Sequence, residues 1–504
     1  MRSLTKFLNI TLVVLAITFG NYASLRADDA VTASAKLLDK LESQVVQKRL
    51  PNGLTVILYR RGKAPVFSAS ISVGVGGVDE LPGHTGISHM LEHMAFKGTK
   101  TVGVRDAERE AELLEQLEQL KLKAASAPQT ELPKFLKKIK KVSLELKSLV
   151  NENELDLIFR EMGAVGLNAT TGKETTDYFM SLPSTAFESW CQLEADRILN
   201  PVMRQFYSER DVVMEERRMR SEDDPEGKIY EHLLGKAFTV HPYGFPVIGY
   251  EKDLLSLTAK MTADFHKKYY KAENITIAVV GDVDPERDLT MLEDYFGQIP
   301  NGGSRRHDLP VEPEQTEERI LELKLPANPQ VLLAYKKPNY PSVDDAPLTI
   351  LGELLAGSRT SLLYKRLVVE DQLLTAVDYF EAPGVGFPNL LIIQAVPRFG
   401  VTNKEAQKAV EVELEKFLSK PIPDSELTKV KRALARSYVE ELSSNSGLAH
   451  SLSSTQVIYG DWRVHLSWFK EMSLVTSEDI LRVGKQFLVP TRRTVAYLES
   501  EVAQ

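Results

Sequence analysis

The sequence is 504 residues long with a formal charge of −8, too long for one ordinary hydrophobic core and expected to divide into two or more domains. Its 43% apolar and 26% charged residues exclude a disordered or membrane-embedded chain, and the negative balance argues against a nucleic-acid binder, which needs a basic face. Cys191 is the only cysteine, so no internal disulfide can form and the fold must rest on its cores.

In chain order, Arg2 and Lys6 precede an apolar stretch from Phe7 to Gly20 and a small-residue exit at Ala23 to Ala27. This is the layout of a secretory signal peptide over residues 1–27, and its removal takes the charge from −8 to −11. The alternative is an uncleaved anchor, for which the stretch is short against the roughly 20 residues of a span. It is not the amphipathic, Arg- and Ser-rich stretch of a mitochondrial presequence. No second long apolar run follows. The expectation is an exported protein, periplasmic or secreted, without stable membrane insertion after the leader is removed.

The apolar pattern predicts strands at Leu54–Leu58 and Phe67–Val75, the second alternating apolar with small or polar residues; Gly74, Gly76 and Gly77 then break it. Between residues 105 and 153, Leu113, Leu117 and Leu120, then Phe135, Ile139, Val142, Leu146 and Leu149, follow helical spacing on either side of a break at Ala124–Pro133. That reads as a charged helical hairpin, either a surface insertion or a partner-binding arm. Helices are expected at Ala186–Leu199 and Ser208–Arg220, a strand at Ile275–Val280 and a helix ending at Tyr295. A polar, turn-rich connector follows over 303–316. Beyond it come strands at Val331–Tyr335 and Leu390–Ala395, with helices near 345–356, 404–419 and 424–442.

Thr262-Ala263-Asp264-Phe265 leads through a helix into the strand Asn274–Val280, and 214 residues later Thr476-Ser477-Glu478-Asp479 leads through a helix into Arg493–Leu498. A duplicated α+β domain explains both this echo and the central connector. The expected architecture is α+β, with two homologous α/β-sandwich domains at 45–302 and 317–504 and the hairpin inserted in the first.

The chemistry concentrates in His89-Met90-Leu91-Glu92-His93. On a helix His89 and His93 lie one turn apart, so both imidazoles can reach one metal. Glu92 lies near that face and can contact a water without being a ligand. Imidazole suits zinc, and three protein ligands with an open fourth position make a catalytic site. A third ligand is needed, and Glu209 and Glu216, two turns apart on the helix around Ser208–Arg220, are candidates. One would ligate and the other support the site.

Gly86-Ile87-Ser88-His89-Met90-Leu91-Glu92-His93-Met94-Ala95-Phe96-Lys97-Gly98-Thr99 closely resembles the zinc-binding segment of the pitrilysin/insulinase family of inverted-motif zinc peptidases, which includes mitochondrial processing peptidase. Leu50-Pro51-Asn52-Gly53-Leu54, Asn168-Ala169-Thr170-Thr171, Glu209–Glu216 and His241-Pro242-Tyr243-Gly244 resemble further family segments in the right order, so the likeness covers most of the mature chain. It implies one Zn2+ per chain held by His89, His93 and Glu216, with Glu92 activating the attacking water and Glu209 in support. Asn168 and Ala169 would bind the backbone of a peptide substrate that adds to a sheet edge; His241 is taken as structural.

Two departures stand out. Between His93 and Glu216 lie 122 residues, many more than the family usually has, and the 105–153 hairpin accounts for the excess. Family members that form a complete chamber also present an Arg and a Tyr from the half opposite the zinc; the aligned positions here are Val368 and Thr375, with Tyr364 and Arg366 nearby. The resemblance therefore implies a zinc endopeptidase acting on unfolded peptides in a dimeric chamber, as a homodimer or paired with an Arg/Tyr-bearing homologue. A non-catalytic assembly subunit and a specific precursor-processing protease are the competing readings.

Overall fold

The computed structural model describes residues 39–62, 64–302 and 309–501; the leader over 1–27 and residues 303–308 of the connector lie outside the described residues. Six strands, β1 (Val46–Arg49), β2 (Thr55–Arg60), β3 (Val66–Val73), β4 (Val165–Thr171), β5 (Thr176–Pro183) and β6 (Ile275–Gly281), form one sheet in the order β1-β2-β6-β3-β5-β4. Five more, β7 (Arg319–Leu325), β8 (Gln330–Lys337), β9 (Leu374–Ala382), β10 (Asn389–Pro397) and β11 (Arg493–Ser500), form a second in the order β7-β11-β8-β10-β9. Without β1 the two orders correspond strand for strand. In each sheet one pair is parallel, β2 with β6 and β7 with β11, and the rest are antiparallel.

The fold is thus a duplicated α/β architecture, with a repeat register that differs from the sequence reading. Thr258 and Thr476 each cap a helix by accepting a backbone N–H, from Met261 and Asp479 respectively. These caps, the helices Ala259–Tyr269 and Ser477–Phe487, and strands β6 and β11 all stand 218 residues apart, not 214. The echo between Thr262 and Thr476 is one helical turn out of step. For β2 with β7 and β3 with β8 the offset is 264, so between β3 and β6 the first half carries a net 46 residues more than the second does between β8 and β11, in the stretch that holds the hairpin.

The helices that matter here are α1 (Ile87–Met94), α2 (Ala107–Ala125), α3 (Leu132–Leu149), α4 (Phe187–Leu199), α5 (Phe206–Arg217), α6 (Pro225–Ala237), α7 (Pro285–Phe296), α8 (Asp345–Ala356) and α9 (Asn445–Tyr459). Side chains alternate across the first sheet as the pleat requires. Val56, Leu58, Ile277 and Val279 pack with Trp190 of α4 and Phe296 of α7, while Ile57, Tyr59, Ala278 and Val280 face a core shared with Leu448 and Leu452 of α9. Helix α9 lies against β3 and β6, where Ser453 Oγ stands 2.8 Å from Ser72 Oγ and 2.9 Å from Ser70 Oγ. The arrangement is reciprocal: α6, from the first half of the sequence, lays Ile229, Leu233 and Ala237 on Leu332, Ile392 and Ala496 of the second sheet. Each half therefore covers a face of the other's sheet.

The hairpin is present as α2 and α3, joined through Leu113, Leu117, Val142 and Leu146. It docks on the start of α5, where Glu118 accepts the Tyr207 hydroxyl at 2.7 Å and the Lys121 ammonium sits 3.6 Å from the ring centroid. Arg204, only 1% exposed, joins three segments. Its guanidinium bonds Glu110 of α2 through Nε and Nη2, at 2.5 and 2.8 Å. It also donates to the carbonyls of Lys97, Thr99 and Val102 beyond α1. Among the described residues no helix is long and apolar enough to cross a membrane.

The described part of the connector is tied down by Glu312, whose carboxylate accepts the N–H groups of Thr239, Val240 and His241 at 2.9–3.0 Å. Although burial opposes it, those bonds hold the Glu312 carboxyl down at about 2, against 4.5 unperturbed. Its contribution to stability is therefore complete above about pH 4.5 and lost as the pH falls toward 2. Thermal melts should show Glu312→Gln less stable than the parent at neutral pH, with the gap closing between pH 4.5 and 2; a gap independent of pH would refute this role.

Candidate metal centre

Helix α1 begins at Gly86, which adopts φ 87° and sits so close to its neighbours that a Cβ would meet the Ile248 carbonyl oxygen at 2.6 Å. Only glycine suits such a position. The Glu80 carboxylate caps the helix, accepting from the N–H groups of Gly86 (2.8 Å) and Ser88 (2.9 Å). Helical spacing then divides the residues among three surroundings. Leu91 packs toward the sheet; Ile87, Met90 and Met94 pack with Phe206 and Val213 of α5. His89, Glu92 and His93 are left to line a cavity of about 690 Å³. Phe206 and Val213 are buried seven residues apart, and the same spacing puts Glu209 and Glu216 on the cavity side of α5.

The Glu216 Oε2 atom lies 3.8 Å from His89 Nε2 and 3.4 Å from His93 Nε2, and one donor atom from each of the three residues lies within 4.8 Å of the others. Tetrahedral zinc with bonds of about 2.0–2.2 Å requires donors roughly 3.3 Å apart, so two imidazoles and one carboxylate here fit that ion. His93 turns its other nitrogen, Nδ1, to Glu209 Oε1 at 3.0 Å, and Lys97 pairs with the other oxygen of Glu209. His89 Nδ1 is buried with no hydrogen-bond partner among the described residues, so only one of the two imidazoles is oriented from behind.

Burial, reinforced by the neighbouring His93, lowers His89 to about 4. His93 is raised to about 9: burial opposes the shift, but Glu209 and Glu216 prevail. Burial raises the Glu92 carboxyl, against the pull of the Thr171 hydroxyl that donates to it. Glu216 is lowered by its hydrogen bond with His93; Glu209, despite burial, is lowered by His93 and Lys97. Glu92, whose carboxyl burial raises and which shares the cavity with the three candidate donors, is thus the group suited to move a proton.

Asn168 and Ala169 lie on β4, which among the described residues pairs only with β5, with Asn168 opposite Phe179 and Ala169 opposite Tyr178. Both line the cavity with Thr170 and Thr171, so a sheet edge runs past the histidines. His241 stands apart, its Nδ1 accepting the Tyr243 N–H at 3.2 Å. Lys97, Thr171, Arg220 and Asn153 also line the cavity and were not singled out from the sequence as site residues; Lys97 and Thr171 stood within quoted segments, whereas Arg220 and Asn153 carried no signal.

In the second half α8 occupies the place of α1, with an apolar sequence and no histidine. Val368 packs against the core and Thr375 is exposed, its hydroxyl donating to the Val396 carbonyl. Arg366 is engaged by Glu370 (2.8 Å) and Asp371 (3.0 Å).

A family model described as "Insulinase (Peptidase family M16)" matches residues 55–129, and one described as "Peptidase M16 inactive domain" matches residues 256–434. The chain is 26% identical over 457 residues to the zinc protease PqqE of Helicobacter pylori, covering 89% of this chain and 91% of that protein. An uncharacterized zinc protease of Mycobacterium leprae is also 26% identical, over 459 residues covering 88% of this chain and 89% of that protein. Among solved structures, a protease from Helicobacter pylori superposes with a TM-score of 0.76 at 24% identity, over 90% of this chain and 99% of that one. The periplasmic protease PqqL from Escherichia coli gives 0.67 at 17% identity, over 90% of this chain and 47% of that one; at such identities these likenesses speak to the fold.

Proposed function

The chain belongs to the insulinase family, peptidase family M16, and on that premise we propose that it is a zinc-dependent endopeptidase hydrolysing peptides or unfolded polypeptides. The observation that carries this is the convergence of His89, His93 and Glu216 within one cavity that also holds Glu92 and an open strand edge. One zinc ion bound by those three residues supplies a Lewis acid that polarises the scissile carbonyl and makes water a stronger acid.

The protein's own residues do the rest. An extended substrate pairs through its main chain with β4 at Asn168 and Ala169, which sets the peptide across the cavity with little demand on side-chain identity. Glu92 accepts the proton of the attacking water and delivers it to the departing amine nitrogen; Thr171 holds the carboxylate on which that exchange depends. Glu209 fixes the ring of His93. Its replacement by Gln is expected to weaken zinc binding or activity by about 10–100-fold, measurable by competition with a chromogenic chelator.

Val368 and Thr375 stand where chamber-forming relatives present an Arg and a Tyr, which supports a division of labour in which a second, Arg/Tyr-bearing homologous subunit completes the chamber; a homodimer is the simpler arrangement. On this reading residues 1–27 are an export leader and the protein works in the periplasm or outside the cell. The test is hydrolysis of a mixed unfolded-peptide library by the purified mature chain. Cleavage that stops on chelation and returns with zinc supports the proposal. Zinc bound without cleavage points to the missing subunit, and neither zinc nor cleavage favours the non-catalytic assembly role.

A further inference from the structure

The two oxygens of Glu216 face different partners. Oε2 points at the Nε2 atoms of both histidines, while Oε1 is held by Arg220 Nη1 at 2.9 Å. Arg220 stands one turn beyond Glu216, in a π-helical turn over Arg218–Glu222 that continues α5. Its side chain is 70% exposed and lines the same cavity, so the guanidinium approaches the carboxylate from the open side.

An exposed ion pair three or four residues apart on a helix commonly contributes little. The neighbouring pair of Arg218 with Glu215 is of that sort, with both side chains more than half exposed. Glu216 differs: its side chain is 19% exposed, and its second oxygen already sits among the metal donors. A carboxylate can grip a cation with one oxygen or with both. Gripping with both fills the position an open catalytic site must leave free.

We infer that Arg220 is a positioning residue that occupies Oε1 of Glu216, so that this ligand offers zinc a single oxygen and the fourth position stays open. The inference rests on the metal-site reading above and names what keeps that site open. Arginine suits the task because it stays charged at any working pH and bonds carboxylate oxygens with fixed geometry.

The test is metal affinity and the visible spectrum of the Co2+-substituted mature protein, neither of which depends on turnover. In Arg220→Ala, zinc affinity measured against a chelator should rise, because Oε1 is freed to bind the ion and a positive charge beside it is gone. The Co2+ absorption should weaken as the ion gains a fifth donor. Arg220→Lys, which can still bond Oε1, should stay close to the parent in both, and Arg218→Ala should change neither. Parental affinity and spectrum in Arg220→Ala would overturn the inference while leaving the metal site standing. Retention of zinc by Glu216→Ala would overturn the metal site and this inference with it.

Discussion

Glu92→Gln leaves the zinc content of the protein unchanged and lowers kcat on an unfolded peptide by roughly 10²–10⁴-fold, the range in which a positioned proton-transfer group contributes. The carboxyl lies in the cavity with the three donors but outside their cluster, so its loss should spare the metal. Gln keeps the shape and can still accept the Thr171 hydroxyl, so the substrate edge beside it is not disturbed. What disappears is a group able to take a proton and return it. Steady-state kinetics paired with elemental analysis decide the matter: loss of zinc together with activity would make Glu92 a metal ligand, and full activity without it would remove the proposed base.

Arg204→Met is expected to cost about 3–5 kcal/mol of stability, because it leaves Glu110, 2% exposed, as an uncompensated buried charge. The same change removes the Arg204 donors from the carbonyls of Lys97 and Thr99 and uncouples the loop after α1 from the segment leading into α5. Urea unfolding of the single variant and of Arg204→Met/Glu110→Met tests this. The double variant should regain most of the loss, since two apolar side chains replace a buried pair at little net cost. A shift below about 0.5 kcal/mol in the single variant, the level of an ordinary surface change, would dismiss the three-way junction.

The candidate donors were legible in two pairs, because helical period alone aligns the members of each; that Glu216 rather than Glu209 joins the histidines came from the family resemblance. His89 and His93 need one turn of a helix, and Glu209 and Glu216 need two. Alternation likewise located β3, and apolar or β-rich runs located β2, β6, β8 and β10; the helix over 345–356 coincides with α8. Arg220 and Arg204 were invisible for the opposite reason. A single arginine carries no period, and the importance of each arises from groups that the chain brings back over distance, 94 residues in the case of Glu110.

The two helices that brace the halves were also missed. Helix α9 buries Ser451, Ser453 and Thr455 beside Leu448 and Leu452, so its inward face reads as polar although it packs closely on a sheet. Helix α6 opens with Pro225 and Gly227, which resemble a turn until Asp224 is seen to accept the N–H groups of Glu226 and Gly227. The repeat reads one turn out of step in the sequence, because Thr262 lies inside its helix whereas Thr476 is a cap whose counterpart is Thr258.

The exchange of α6 and α9 bears on how the molecule comes apart. A protease that nicked the connector would leave two fragments still clasped, and each expressed alone would bare a sheet face that the other normally hides. The two repeats should therefore give a single calorimetric transition rather than melt in sequence, and a chain split at the connector should reassemble from its pieces only when both are present.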